Sequence, residues 1–320
     1  MIIKSIFRLW PWPLLLATAA HAAYPEKPVR IIVPFPPGGS ADILARTLAN
    51  KLHPVFGQVF IVDNRAGAAG NIGTDIVAKS KPDGYTLLVG LMNTHVVNQA
   101  FNANLPFKGV DDFTPVANLA AVITTMAMHP SVPVSNVKQF IAFAKANPGK
   151  LAYASAGSGS SNHLCAAVFE KMAGLRMLHI PYKGGAPATL DTVTGQAQVI
   201  FTAATQTLPH VKTHRLKLLG VTRGQRVSLF PDVPAIAETL PGYDIVVWFG
   251  LFGPAGMPKD ITARLNTEVN RLMNAPETKK TMEDMGVEVY NATPEQFLET
   301  LRKETAYWNK AVREYSLKVD

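Results

Sequence analysis

The chain has 320 residues, 48% hydrophobic and 17% charged, enough apolar material for two ordinary globular domains and too much for a disordered segment. Its formal charge is +8, from 31 basic and 23 acidic residues, and no dense Lys/Arg run carries the surplus. That pattern excludes the concentrated basic stripe of a nucleic-acid binder and suits an acidic small molecule, while the lone Cys165 excludes an internal disulfide.

Residues 1–22 carry Lys4 and Arg8, an apolar stretch over 9–19 broken by Pro11 and Pro13, and Ala20-His21-Ala22 as a small-x-small cleavage site. This reads as a cleavable secretory signal peptide. No later apolar run approaches about 18 residues, so the mature chain is expected to be soluble and periplasmic.

A strand over 29–34 then runs through Pro34-Phe35-Pro36-Pro37-Gly38-Gly39-Ser40 into a helix over 41–52, with Ile43, Leu44, Leu48 and Leu52 on one face. The first N–H groups of such a helix have no carbonyl partner, and together with the helix dipole they favour an anion at the turn. Asp42, two residues inside, is expected to accept the turn's own N–H groups rather than face the ligand. Arg65 reads as a structural ion-pair residue.

Strands are expected at 59–64, 86–90, 114–120 and 124–129, and a helix over 136–147 that is capped by Ser135 and stops at Pro148-Gly149. Gln139 stands one place out of register for a capping box with that serine. A second strand, glycine turn and helix follows: a strand over 151–154, the turn Gly157-Ser158-Gly159-Ser160-Ser161, and a helix opening at Asn162-His163-Leu164. The two turns are expected to meet across a cleft and grip a carboxylate. His163, just inside the second helix, either holds the turn or donates to the ligand. Cys165, beside Leu164 and Val168, reads as a small buried hydrophobe.

Further strands are expected at 177–181, 199–202, 216–221 and 246–254. Thr293-Pro294-Glu295-Gln296 then signals the start of a C-terminal helix, and its stripe of Phe297, Leu301, Trp308 and Val312 reads as core packing. The alternation of strands and helices predicts an α/β protein with mainly parallel pairing, and the chain is expected to cross between two lobes near 120–126 and 244–249.

Other chemistries fit less well. Gly157-x-Gly159-x-x-Asn162 lacks the third glycine of a dinucleotide fingerprint, and the Pro36-to-Ser40 turn lacks the ending of a P-loop. The scattered histidines form no metal-binding spacing, so neither metal nor cofactor is expected. Tyr153-Ala154-Ser155-Ala156-Gly157 resembles a nucleophile elbow with Tyr153 in place of its first glycine. A secreted serine hydrolase with Ser155 as nucleophile is therefore the alternative, with Asp191 and His210 in the right order to complete it.

Tyr24-Pro25-x-Lys27-Pro28-Val29-Arg30, Pro34-Phe35-x-Pro37-Gly38-Gly39-x-x-Asp42, Asn64-Arg65-x-Gly67-Ala68-x-Gly70, Lys81-Pro82-Asp83-Gly84-Tyr85, Pro181-Tyr182-Lys183-Gly184-Gly185 and Trp248-Phe249-Gly250 occur in order along the mature chain. Together they resemble the Bug-type periplasmic solute-binding receptors of the tripartite tricarboxylate transporter family. The resemblance implies a two-lobed type II periplasmic-binding-protein fold with a hinge between the lobes, without enzymatic activity. Lobe 1 would comprise 23–122 with 249–320, and lobe 2 would comprise 123–248.

The resemblance further implies a pincer on one carboxylate, from Phe35, Pro36, Pro37, Gly38, Gly39, Ser40 and Asp42 on one side and Gly157, Ser158, Gly159, Ser160, Ser161 and His163 on the other. It adds contacts from Asn93, Thr94 and His95 and from Thr202 and Ala203. Many relatives have an acidic residue where Thr202 stands, so its absence here favours a mono- or dicarboxylate without an amine, aromatic acids included. Phe35 and Trp248 flank an aromatic ring or serve only as packing. The partners implied are the membrane subunits of a transporter, and a monomer is expected.

Overall fold

Two β-sheets, one per lobe, organise the chain in a computed structural model that describes residues 24–102 and 104–314; the expected signal peptide, 1–22, lies outside the described residues. The strands are β1 Val29–Val33, β2 Phe60–Asn64, β3 Thr86–Leu91, β4 Phe113–Val122, β5 Thr124–Met128, β6 Ala152–Ser155, β7 Leu178–Pro181, β8 Val199–Ala203, β9 Lys217–Val221, β10 Val247–Pro254 and β11 Val287–Val289. The helices are α1 Ser40–Phe56, α2 Asn71–Ala78, α3 Asn98–Phe101, α4 Val137–Ala146, α5 Ser161–Ala173, α6 Gly185–Val193, α7 Ala204–Lys212, α8 Lys259–Met273, α9 Pro276–Asp284 and α10 Pro294–Glu314.

The first sheet has the order β11-β4-β10-β3-β1-β2 and the second β7-β6-β8-β5-β9. Within each, the strands that follow local β-α-β crossovers are parallel: β2 and β3 flank β1, and β7 and β8 flank β6. The strands that arrive from the other lobe run against them, β10 against β3 and β5 against β8. The sheets are thus mixed, not mainly parallel, because a returning strand's direction is set by where the chain re-enters and leaves no trace in local periodicity. The chain leaves the first sheet at Ile123, between β4 and β5, and regains it at Val247.

Every expected strand is present within a residue or two of its expected ends. The short β11 escapes sequence reading because three residues cannot display a period. α1 outruns its expected end, continuing through Pro54 to Gly57, whose left-handed φ of 68° closes the helix. The cap of α4 is Asn136, which accepts the Gln139 N–H at 2.9 Å, and not Ser135, whose N–H donates to Gln139 Oε1 at 2.8 Å. The three-residue capping spacing belongs to Asn136 and Gln139, which explains why Ser135 was out of register.

At α10, Thr293 and Gln296 form the expected reciprocal cap, at 2.9 and 3.2 Å. Phe297, Leu301 and Trp308 are buried in the main core, with Val312 partly buried beside it. Fully burying side chains of this size stabilises by about 1.5–3 kcal/mol each, which fixes α10 across the first sheet. Cys165 is fully buried, and burial pushes its thiol up to about 12.

Candidate functional site

Between the lobes lies a cavity of about 100 Å³ at which four helices begin. The β1–α1 turn contributes Phe35, Pro36, Pro37, Gly39, Ser40 and Ala41; the β6–α5 turn contributes Ala156, Ser160, Ser161 and Asn162. Residues 184–187 open α6, and Thr202, Ala203 and Gln206 open α7. The floor is apolar: Leu91, Val122, Phe201, Val247 and Phe249, with Thr124 among them. No side chain in this lining bears a formal charge. An anion here meets helix N-termini and hydroxyls, while an aliphatic or aromatic body meets the floor.

In the first turn, Gly38 has φ of 84°, and its N–H donates to Asp42 Oδ2 at 3.0 Å. The same oxygen accepts from Arg46 Nε at 2.9 Å, and Asn64 Nδ2 donates to Asp42 Oδ1 and to Phe35 O, both at 3.0 Å. Burial alone would raise the Asp42 carboxyl, but the hydrogen bonds from Arg46, Gly38 and Asn64 outweigh it and hold the group below the usual carboxylate range. Asp42 therefore ties the turn to α1 and β2. It lines no part of the cavity. Arg65 pairs with Asp63 at 3.0 Å, an ion pair outside the site.

The second turn is held differently. Gly159 N–H donates to His163 Nδ1 at 3.0 Å, Gly157 N–H to Ser155 Oγ at 3.1 Å, and Ser160 caps α5 by accepting the His163 N–H. Gly157 and Gly159 have φ of 119° and 78°, conformations that favour glycine. The His163 ring stacks on His179 at 4.2 Å, and His179 Nε2 lies 2.6 Å from Ser155 Oγ. The Gly38, Gly157 and Gly159 amides are thus used inside the turns. What remains for a ligand is the Gly39 N–H and the first helical turn of α1 and of α5, at Ser40 and Ala41 and at Ser161 and Asn162.

Of the residues expected at the site, Phe35, Pro36, Pro37, Gly39, Ser40, Ser160, Ser161, Thr202 and Ala203 share the cavity wall. Gly157, Ser158 and Gly159 line a wider adjoining groove of about 790 Å³, together with Lys183 and Asn98. Gly38, Asp42 and His163 stand behind the wall. Asn93, Thr94 and His95 are fully buried and border neither space. His95 stacks on Phe252 at 3.8 Å over Gly90, where a Cβ would meet its ring at 2.2 Å. Burial pushes the His95 imidazole down to about 3. Thr94 Oγ1 is occupied by Leu91 and His95, and Asn93 Nδ2 donates to Ala69 O at 3.1 Å. These three side chains belong to the first lobe's interior, because the chain turns inward at once after β3.

Trp248 also faces away from the cavity. Its indole N–H donates to Glu304 Oε2 at 2.6 Å, and its ring packs on Phe297. Strand alternation puts its neighbours Val247 and Phe249 on the cavity floor instead. Sequence reasoning also missed Asn162, Gln206 and residues 184–187. A third strand, glycine turn and helix at Lys183-Gly184-Gly185 was the available signal for the last of these.

The hydrolase arrangement is not formed. Asp191 accepts from Tyr182 Oη at 2.6 Å, Ser155 pairs with His179 and not with His210, and Ser155 is fully buried off the cavity wall. Among the described residues, no group of three or more His, Cys, Asp or Glu side chains is placed to hold a metal ion, and no helix is long and apolar enough to cross a membrane.

The lobes touch around the cavity. Ser40 Oγ and Thr205 Oγ1 are 3.0 Å apart, and Pro36 packs so closely on Gly184 that a Cβ there would sit 3.2 Å from its ring.

Residues 44–317 match the sequence model of the family described as tripartite tricarboxylate transporter family receptor. The chain is similar to protein BugT of Bordetella pertussis, 34% identical over 314 residues and covering 96% of each chain. Among solved structures it is similar to R. palustris Rpa4515 with adipate, at 31% identity and TM-score 0.89, covering 92% of this chain and 99% of that one. It is also similar to MatC from Rhodopseudomonas palustris with bound malate, at 28% identity and TM-score 0.85, covering 90% and 100%.

Proposed function

The chain belongs to the tripartite tricarboxylate transporter receptor family, and from that premise we propose that it captures a small organic carboxylate in the interlobe cavity, without turnover, and delivers it to the membrane subunits of such a transporter. The observation that carries this reading is the convergence of the α1 and α5 N-termini on one uncharged cavity with an apolar floor. Each helix terminus contributes roughly 0.3–2 kcal/mol towards an anion, whereas micromolar binding needs about −8 kcal/mol. Several termini and burial of the ligand body must therefore act together. That the neighbours carry adipate and malate supports an organic acid here.

Binding is proposed to stabilise the closed arrangement of lobe 1, 23–122 with 249–320, on lobe 2, 123–248, about the crossings at Ile123 and Val247. A ligand that bridges α1 and α5 binds the closed form and not the open one. The mature protein is proposed to act as a periplasmic monomer after removal of residues 1–22.

A thermal-shift screen of mono- and dicarboxylates, aromatic acids and amino acids on the mature chain tests the reading, since a ligand at a hundredfold its Kd stabilises by about 2.7 kcal/mol. A melting-temperature rise with simple organic acids and none with amino acids is expected. Stabilisation by amino acids alone, or ester hydrolysis abolished by Ser155→Ala, would overturn it.

A further inference from the structure

Gln206, in the first turn of α7, is a cavity residue whose side-chain amide is held by two threonine hydroxyls. Thr202 is buried, and its hydroxyl donates to Gln206 Oε1 at 2.9 Å, its only hydrogen-bond partner among the described residues. In this orientation of the Gln206 amide that hydroxyl proton has an acceptor, which it would lose were the amide turned over. The Thr189 hydroxyl, shared with Gly185 O at 2.9 Å, lies 3.2 Å from the same oxygen. Oε1 is therefore committed to the second lobe. Nε2 has no acceptor among the described residues and points towards the other lobe, 4.0 Å from where a Gly39 Cβ would stand.

The side chain fits only because residue 185 is glycine: a Cβ there would meet Gln206 Oε1 at 2.7 Å and Nε2 at 3.0 Å. Next to it, Thr205 meets Ser40 across the cleft at 3.0 Å, so this turn of α7 sits where the lobes close on a ligand.

We propose that Gln206 sets which second group the cavity accepts, by donating its anchored amide N–H to an acceptor on the ligand and rejecting a cation at that end. The inference rests on the carboxylate reading above and adds to it a residue and a selectivity. One carboxylate sits between α1 and α5, and the far end of the ligand is read by Gln206. Thr202 then acts as a positioning residue through Gln206, its own hydroxyl being spent.

Calorimetric titration of the mature chain with two matched series separates the far-end group from everything else: succinate, 4-aminobutyrate and butyrate, then adipate, 6-aminohexanoate and hexanoate. Wild type is expected to bind the dicarboxylate of at least one series tenfold or more tighter than its ammonium partner, the range of a hydrogen bond to a charged group. Gln206→Glu keeps one oxygen for Thr202 and Thr189 while turning the donor into an anion. It is expected to shift the dicarboxylate-to-ammonium ratio at least tenfold towards the amine. Gln206→Leu and Gly185→Ala should bring the affinity for the dicarboxylate down to that for the methyl-ended acid. Thr202→Val should follow them, and Thr202→Ser should not.

A ratio unchanged in correctly melting Gln206→Glu and Gly185→Ala proteins, or equal wild-type affinity within each series, overturns this inference while leaving the carboxylate reading intact. Wild-type binding of none of the six acids overturns this inference, and the carboxylate reading falls with it only if the wider acid screen is negative as well.

Discussion

The two turns that open α1 and α5 do one job by different means. In the first, an ionised carboxylate, Asp42, gathers the Gly38 N–H, Arg46 and Asn64. In the second, a buried imidazole, His163, accepts the Gly159 N–H and stacks on His179, with Ser155 taking the Gly157 N–H. In both, the amides of Gly38, Gly157 and Gly159 are consumed in shaping the turn, and it is the start of the helix behind it that offers donors to the cavity. A carboxylate beside an anion site is no contradiction when its hydrogen bonds all run away from the cavity. Asp42 faces backwards, and its charge is matched by Arg46.

The strongest way to break the comparison is Asp42→Ala. It leaves three donors without their shared acceptor, and a loss of about 2–3 kcal/mol in urea unfolding is expected, with roughly tenfold or more lost in acid affinity. His163→Leu is expected to cost less, about 1–2 kcal/mol, because the acceptor lost is uncharged and leucine keeps part of the packing against Tyr153 and His179. Equal stability losses from the two variants would mean that the turns are held by similar forces after all.

pH sharpens the contrast between the helices. The Asp42 carboxyl lies below its ordinary value, so its contribution is present above the usual carboxylate range and is lost only as pH falls through the lowered value. Glu170, on α5, is the reverse case. Burial pushes it up to about 7, despite the Met177 N–H and Lys171, which lower it. The folded chain there keeps a proton that the unfolded chain releases near 4.5, so stability falls as pH rises from about 4.5 to 7. The change is on the order of 1 kcal/mol once partial exposure is allowed for. Glu304, raised to about 7 by burial against its Trp248 hydrogen bond, adds in the same direction. Melting temperature against pH should decline over this window in wild type and less in Glu170→Gln. An unchanged slope in the variant would remove Glu170 as a cause.

The smallest effect belongs to the contact joining the first turn to the second lobe. Ser40→Ala and Thr205→Ala should each weaken acid binding only a few-fold, the worth of one part-buried neutral hydrogen bond of about 0.5–1 kcal/mol. A double-mutant cycle should show that the two losses do not add.

Much of this was legible in the sequence because local chemistry decided it. Pro-Pro-Gly-Gly-Ser-x-Asp displays a turn, a helix start and an acceptor at the right distance, and Thr293-Pro294-Glu295-Gln296 displays a cap that forms as written. What failed to show was whatever depended on distant partners. His95 follows a strand whose end lies near the cleft, yet Gly90 and Phe252 draw its ring into the core. Trp248 and Phe249 are adjacent and both aromatic, and only the placement of α10 decides that Trp248 faces Glu304 and Phe249 faces the cavity. Gln206 has no motif at all. Its role comes from Thr202, Thr189 and Gly185, which meet it only in the folded chain.

The central claim, that first-turn amides of α1 and α5 hold one carboxylate together, is tested most directly by amide proton and nitrogen shifts during titration with the tightest-binding acid. The account predicts large, parallel shifts at Ser40, Ala41, Ser161 and Asn162, saturating at the same ligand concentration as the calorimetric isotherm. Saturable binding that moves the amides of only one turn, or moves residues around Lys183 in the outer groove instead, would contradict it.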